Sequence, residues 1–307
     1  KVRWRTTMKP ILSNIVTAHN FELFISKCLI SIQKCIETYS KNDIEIILID
    51  DKSTDNTSNI MMGFSNSIKS FRYFRTEFGN IGKVRNYAIQ NCNGQYITFI
   101  DGDDAFPAFD LSKVIDFLVS NEVDILISRI NNVKEDVDYI EKSIFTSSTK
   151  LTQHKAIQEF LIHKKFQAHL CSKFFSKKLF NNLKIPEISC YEDAFIFPDL
   201  LQKSSNIHIT NSVFYNYIKR NDSLSNNITH QKADIMADVI SYMNNKFGDK
   251  YKNLIATHAI EHLLKNGDIL SYEKKSALKA LIKNISKFPF FIDPNVRFSF
   301  KKKLLKL

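Results

Sequence analysis

The sequence predicts an α/β protein with a mostly parallel central sheet flanked by helices and an α-helical C-terminal region. Three observations carry that reading. Apolar, β-branched runs at residues 11–18, 44–49 and 96–100 alternate with stretches of helical periodicity. Each run ends on polar or acidic residues: His19-Asn20, Asp50-Asp51 and Asp101-Gly102-Asp103-Asp104. After Asn221, β-branched runs give way to helical spacing over residues 231–247, 251–265 and 273–286.

The elements follow in order. Residues 11–18 make a first strand, and residues 22–40 a helix with Phe24, Cys28, Ile32, Cys35 or Ile36, and Tyr39 at three-to-four spacing. Residues 44–51 are nearly continuous apolar, as a strand buried on both faces should be, so strand, helix and strand form a βαβ unit. Ser53-Thr54-Asp55-Asn56-Thr57 is dense in helix-capping residues and starts a second helix. A strand near residues 71–75 leads through Gly79-Asn80-Ile81-Gly82 to a short helix over 83–91, whose start carries Lys83 and Arg85, a place suited to an anion. The strand at 96–100 then runs into three carboxylates. A helix over 111–120 and a strand over 123–128 follow, and the polar stretch 131–150 reads as a hairpin or an acceptor-side loop. Beyond it come a helix over 153–163, short β-like runs at 169–175, 206–210 and 213–220, and a helix over 192–202 that Pro198 bends or interrupts.

The chain has 307 residues, 44% hydrophobic and 24% charged, enough for one large or two modest domains, with no apolar run of membrane-spanning length. Five scattered cysteines with no C-x-x-C pair argue for reduced core thiols in a cytoplasmic protein and against zinc. A net charge of +11 implies attraction to something anionic. Residues 1–7 are left outside the domain, with Met8 as the expected start.

Three carboxylates within four residues raise one another's pKa unless a cation sits among them. Oxygen-only ligands at that spacing suit Mg²⁺ or Mn²⁺, completed by water and substrate phosphates. An acidic turn at a strand end is the plainer alternative. The ligand crevice of a parallel sheet lies outside the carboxyl ends of its strands, and His19, Asp50-Asp51 and Asp101–Asp104 all fall at such ends. That coincidence favours a functional site.

In combination, Ile46-Ile47-Leu48-Ile49-Asp50-Asp51-Lys52-Ser53, Asn80-Ile81-Gly82-Lys83-Val84-Arg85-Asn86 and Phe99-Ile100-Asp101-Gly102-Asp103-Asp104 resemble the GT-A (Rossmann-like) fold, family 2 glycosyltransferases of bacterial surface-polysaccharide synthesis. The resemblance continues through Lys173, Tyr191-Glu192-Asp193 and Tyr215-x-Tyr-x-x-Arg220-x-x-Ser223-x-Ser225, covering roughly residues 10–226. It implies a glycosyltransferase domain over residues 8–226, with a nucleotide-sugar-binding half (8–110) and an acceptor-binding half (111–226), before a helical region (227–307) that matches nothing named. By the family's pattern Asp101 faces the nucleotide sugar and Asp103 holds the metal, with Asp104 a second ligand or its neighbour. Asp51 pairs with the nucleotide base, usually uracil. Ala18, Asn20 and Gly102 line the same pocket, and Lys83 and Arg85 touch the nucleotide or its diphosphate. Asp193 is the general base of an inverting transfer, with Glu192 supporting it. Arg220, Ser223 and Ser225 form a pyrophosphate-clamping lid or simply a turn. His208 and His230 are weaker candidates as extra metal ligands. Two departures stand out: Lys52 replaces the family's glycine and Thr17 the proline usual in the first strand motif.

The expected partners are a nucleotide-sugar donor, most plausibly UDP-linked, and a glycan or lipid-linked glycan acceptor. A nucleotidyltransferase would also use a sheet, carboxylates and Mg²⁺, yet His19-Asn20-Phe21-Glu22 is not its glycine-rich basic loop. A nucleic-acid-binding protein fits the basic charge but not an acidic best-organised site, so no nucleic acid is expected. The terminal stretch runs from Phe288-Pro289-Phe290-Phe291-Ile292 into Phe298, Phe300, Leu304, Leu305 and Leu307 interleaved with Arg297, Lys301, Lys302, Lys303 and Lys306. It reads either as a basic amphipathic helix on an anionic membrane surface, which would make the protein peripheral on the inner face of the plasma membrane, or as a helix packing on its own domain or on a second subunit of a homo-oligomer.

Overall fold

The apolar runs become strands β1 (Leu12–Ala18), β2 (Ile44–Asp51), β3 (Phe71–Thr76) and β4 (Tyr96–Asp101), and the stretches between them become helices α1 (Ile25–Glu37), α2 (Thr57–Ser67) and α3 (Ile81–Asn91). The computed structural model describes residues 9–37, 43–68, 70–134, 138–219 and 228–306. Every residue of β1 and β2 is buried, which is why their sequences are apolar without alternation. Helix α1 buries Ile25, Cys28, Leu29, Ile32 and Cys35, the stripe its spacing predicts. Asn80 caps α3 by accepting a hydrogen bond from the Lys83 amide, so that helix starts two residues earlier than expected.

Beyond α4 (Leu111–Ser120) come β5 (Ile125–Val133), β6 (Thr149–Leu151), β7 (Lys173–Ser176) and β8 (Ile207–Ile218). The sheet order is β3-β2-β1-β4-β7-β5-β8-β6. The first four neighbours are parallel, β7 runs antiparallel between β4 and β5, β8 is parallel to β5, and β6 closes the edge antiparallel. The two short runs expected at 206–210 and 213–220 are one strand. Its register against β5 shifts around Arg129, and this irregularity carries the polar Asn211-Ser212 through the strand, with Thr210 Oγ1 accepting the Ser212 amide at 3.1 Å. The stretch 131–150 is neither a simple hairpin nor wholly a loop. It begins as the end of β5 and finishes in β6, and the buried Asn216 side chain holds its middle through Asn131 Nδ2 (2.9 Å), the Ile140 amide (3.2 Å) and the Ile140 carbonyl (2.8 Å).

Helices α5 (Gln153–Ile162), α6 (Glu192–Lys203), α7 (His230–Phe247), α8 (Lys252–Asn266), α9 (Tyr272–Lys283), α10 (Lys287–Ile292) and α11 (Phe298–Leu304) complete the chain. Two compact units result. The sheet-bearing one contains residues 1–152, 169–187 and 204–220, and the helical one residues 153–168, 188–203 and 221–307. The helical unit is therefore assembled from three stretches rather than from a single cut near residue 226. The reason lies in the apolar faces of α5 and α6, where Phe160 packs on Phe197 at 5.2 Å and on Phe247 at 6.3 Å. Helix α6 runs uninterrupted through the buried Pro198.

All five cysteines are free and four are buried, as reduced core thiols should be. Among the described residues no helix is long and apolar enough to cross a membrane. The terminal stretch is not one helix: Asp293-Pro294-Asn295 separates α10 from α11, because proline lacks the amide a continuing helix needs and Asp293 Oδ1 accepts the Asn295 amide at 2.9 Å. Helix α11 packs on α8 through the buried Phe300 and the Lys303–Glu261 pair at 2.6 Å. Partial burial alone would raise the Glu261 carboxyl, but Lys265 (2.7 Å) and Lys303 overcome it and hold it at about 2. A depressed carboxyl contributes stability above its unfolded pKa of about 4.3 and loses it as pH falls towards 2. Glu261→Gln is accordingly expected to lower the thermal midpoint by about 2–3 °C at pH 7, both pairs being partly solvent-screened, with the gap closing as melts are repeated towards pH 2.

Candidate active site

The parallel register brings the predicted segments to one edge. Ala18 lies opposite Asp50, Thr17 opposite Asp101, and Asp51 opposite Thr76, so the carboxyl ends of β1, β2, β3 and β4 align. Asp50 and Asp51 then divide their work. Asp50 is fully buried and held by Arg75 (2.7 Å), Tyr73 Oη (3.3 Å) and the Ser53 amide (3.2 Å), which makes it a structural anchor. Asp51 accepts Thr76 Oγ1 (3.0 Å) and the Phe78 amide (2.7 Å) on the same oxygen, Oδ1. Its carbonyl lies 2.6 Å from His19 Nδ1; a carbonyl only accepts, so the His19 proton sits on Nδ1.

The loop after β1 is laced to the loop after β2. Asn20 Oδ1 accepts the Thr54 amide (2.8 Å), and the Asn20 amide donates to Ser53 Oγ (2.9 Å). Asn20 and Lys52 both have left-handed backbones, with φ of 54° and 64°. That accounts for the glycine the family carries where this chain has Lys52: the turn requires positive φ, which a lysine adopts at a cost of about 1–2 kcal/mol.

The acidic turn is held from three sides. Asp101 Oδ1 accepts Arg85 Nη2 (3.0 Å) and Thr17 Oγ1 (3.2 Å), and the buried Arg85 guanidinium also lies over the Phe99 ring at 5.9 Å. The Gly102 amide donates to the Thr17 carbonyl (2.8 Å) and the Asp104 amide to the Asp101 carbonyl (3.0 Å). Asp104 is buried, accepting Tyr215 Oη on one oxygen and the Ile218 amide on the other, both at 2.7 Å. Half-buried Asp103 sits between these anchored carboxylates in sequence. Burial, and then the charges of Asp103 and Asp101, push the Asp104 carboxyl up to about 8 against the hydrogen bonds that lower it. Burial and the same three acids raise the Cys28 thiol. Crowded oxygen donors that raise one another's pKa fit a hard divalent cation, Mn²⁺ or Mg²⁺. Among the described residues no three His, Cys, Asp or Glu side chains close a metal cage, and the fit is that of an ion which keeps water or phosphate on its open positions.

Gly102 permits this packing. A Cβ there would sit 2.9 Å from Ile25 Cδ1 and 3.1 Å from both Ala18 Cβ and Phe21 Cδ2. Gly102→Ala is expected to cost about 1–3 kcal/mol in chemical unfolding and to weaken donor binding, since the turn must lift off β1.

The remaining predicted residues are spread more widely. Lys83, in the first turn of α3, lies 3.7 Å from Glu187. Glu192 and Asp193 open α6 in the helical unit; Glu192 is buried, and half-buried Asp193 accepts the Ala194 amide at 2.7 Å. His208 does not join the acidic turn. It lies ten residues before Ile218 on β8, about 30 Å away at ~3.3 Å per residue, with its ring edge-on to Phe117. His230, the first residue of α7, is bonded through Nδ1 to the Ile269 carbonyl at 2.7 Å. Arg220, Ser223 and Ser225 lie outside the described residues. The sequence reading missed Thr17 and Tyr215 as partners of the acids. Tyr215 carried a signal, its i, i+2 pairing with Tyr217, but not its target.

The family model described as glycosyl transferase family 2 matches residues 13–183. Glycosyltransferase GlyA of Streptococcus pneumoniae is 25% identical over 291 residues, covering 89% of this chain and 41% of that protein. The poly(ribitol-phosphate) beta-glucosyltransferase of Bacillus spizizenii is 26% identical over 240 residues, covering 75% of this chain and 36% of that protein. The chain thus spans well under half the length of either relative. Among solved structures, Staphylococcus aureus TarS 1–349 in complex with UDP-GlcNAc superposes with a TM-score of 0.68 at 20% identity, covering 91% of this chain and 82% of that one, and has the same fold.

Proposed function

The chain belongs to glycosyl transferase family 2, and from that premise we propose that it is a metal-dependent, inverting glycosyltransferase that moves a sugar from a UDP-sugar to a hydroxyl of a bacterial surface glycan. The observation that carries the reading is that Asp51 and Asp101 end the parallel strands on either side of β1 at one carboxyl edge of the sheet, with Asp103 two residues beyond β4, all inside the matched residues. The name of the B. spizizenii relative makes poly(ribitol phosphate) the first acceptor to try.

Each residue has a role in this reading. Asp51 keeps Oδ2 for the N–H of the nucleotide base while Thr76 and the Phe78 amide hold Oδ1. Ala18, Asn20 and Gly102 shape the floor beneath the donor. Arg85 fixes Asp101 towards the ribose and sugar, and Lys83 adds positive charge beside the diphosphate. Asp103, with Asp104 beside it, would hold a divalent cation, which would supply neutralisation of the charge that develops on the leaving diphosphate. Asp193 takes the proton of the acceptor hydroxyl as that oxygen bonds to the anomeric carbon from the face opposite the departing diphosphate, and buried Glu192 supports it. One carbon–oxygen bond forms, one breaks, and UDP leaves.

The test is release of UDP from a panel of UDP-sugars, with Mn²⁺ or with EDTA, in the presence of poly(ribitol phosphate) and lipid-linked glycans. One donor turned over in a metal-dependent way, giving the opposite anomeric configuration in the product, is the expected result. Release from no donor under any of these conditions would sink the proposal.

A further inference from the structure

The chain's basic excess is concentrated at its end. From Lys274 to Leu307 there are ten lysines and arginines and a single acid, Asp293. Three of these cations are engaged locally: Lys274 with Asp238 (2.7 Å), Lys303 with Glu261 (2.6 Å), and Lys301 with the Asp293 carbonyl (2.9 Å). Among the described residues Lys287, Lys302 and Lys306 have no carboxylate within ion-pair distance.

Those lysines share α10, α11 and the residues just after them with apolar side chains turned outward. Each of the two helices has an inner face, closed by Phe290 on α10 and Phe300 on α11, both buried. The outer face of α10 carries Phe288 and Ile292, four residues apart. The outer face of α11 carries Phe298, Lys302 and Leu305 at helical spacing, with the Lys302 ammonium 4.9 Å over the Phe298 ring. Phe288, Ile292, Phe298 and Leu305 are 74%, 63%, 70% and 76% exposed.

We propose that the outer faces of α10 and α11 dock on an anionic lipid bilayer surface, the four apolar side chains entering the headgroup boundary and the lysines pairing with acidic headgroups. Two competing occupants fit less well. A phosphate-bearing polymer would use the lysines and leave the phenylalanines in water. A second copy of this chain, meeting the same face across a two-fold axis, would set lysine against lysine.

The experiment is co-sedimentation of the 307-residue chain with vesicles of phosphatidylglycerol and phosphatidylcholine in equal amounts, or of phosphatidylcholine alone. One variant combines Phe288→Ser, Ile292→Ser, Phe298→Ser and Leu305→Ser, leaving the charge unchanged; another combines Lys287→Gln, Lys302→Gln and Lys306→Gln. The parent chain is expected to bind the anionic vesicles at least about tenfold more tightly than the neutral ones, and each variant to lose at least about tenfold of that anionic binding, with helical circular dichroism unchanged. The single changes Phe288→Ser and Phe298→Ser carry the same test if the combined variant loses helicity. The proposal is overturned if the parent chain ignores anionic vesicles at low salt. It is equally overturned if only the lysine variant loses binding, which points to a polyanion, or if the chain sediments as a dimer that the serine variant dissociates while neither binds lipid.

Discussion

Asp103→Asn is expected to lower sugar transfer by about 10³-fold and to abolish stimulation by Mn²⁺. The size follows from what each acid of the turn is already doing. Asp101 is tied to Arg85 and Thr17, and Asp104 is buried against Tyr215 and the Ile218 amide, so replacing either disturbs the fold as well as the chemistry. Asp103 is half-buried and lies between them, and asparagine keeps its shape while removing the charge a cation needs. The diagnostic comparison is therefore with Asp104→Asn. That change relieves a carboxyl pushed up to about 8 and alters the hold on the end of β8, so its loss of activity should come with altered stability. Titrating Mn²⁺ against UDP release in both variants checks the distinction. Metal-stimulated transfer surviving in Asp103→Asn would remove that residue from the metal's shell.

The contrast between those two carboxylates was not legible in the sequence. Asp101-Gly102-Asp103-Asp104 announces itself as a charged strand end because its signal is local, an apolar run meeting three acids. Which acid is buried depends on Tyr215, more than a hundred residues away on a strand whose position in the sheet no periodicity reveals. Asp50 and Asp51 repeat the lesson. The pair was readable as a site, but Arg75 decides which member is structural, and that pairing needs the parallel register of β2 and β3. Strands β1, β2 and β4 were found almost to the residue, since burial on both faces leaves runs that are mostly apolar and do not alternate strictly. Strand β8 was split in two because Asn211-Ser212 reads locally as a turn, and only its partner strand carries it through. The helical unit was the hardest to read. Periodicity found α5 and α6 but could not say that Phe160 and Phe197 face each other across a gap in sequence, which gathers residues 153–168 and 188–203 with the C-terminal helices.

That last grouping bears on the other large effect expected, from Asp193→Asn. Transfer to acceptor should fall by about 10²–10⁴-fold while UDP-sugar binding stays at the parent's level. The residues assigned to the donor (Asp51, Arg85, Asp101 and Asp103) all belong to the sheet-bearing unit, whereas Asp193 opens α6 in the helical unit. Asparagine retains the oxygen that accepts the Ala194 amide, while the first turn of α6 loses a favourable charge at its N-terminus, about 0.3–1 kcal/mol. A fall in turnover with the helix intact then reports proton transfer and not folding. Binding of the UDP-sugar, measured by calorimetry, supplies the control, because the base acts on the acceptor hydroxyl and not on the donor. If Asp193 is the base, Asp193→Asn leaves donor binding near the parent's and removes transfer. Glu192→Gln, changing a buried neighbour, should cost only about tenfold in transfer and should lower stability as well. Loss of donor binding together with transfer in Asp193→Asn would mean that the residue acts on the donor, and the base would have to be sought elsewhere.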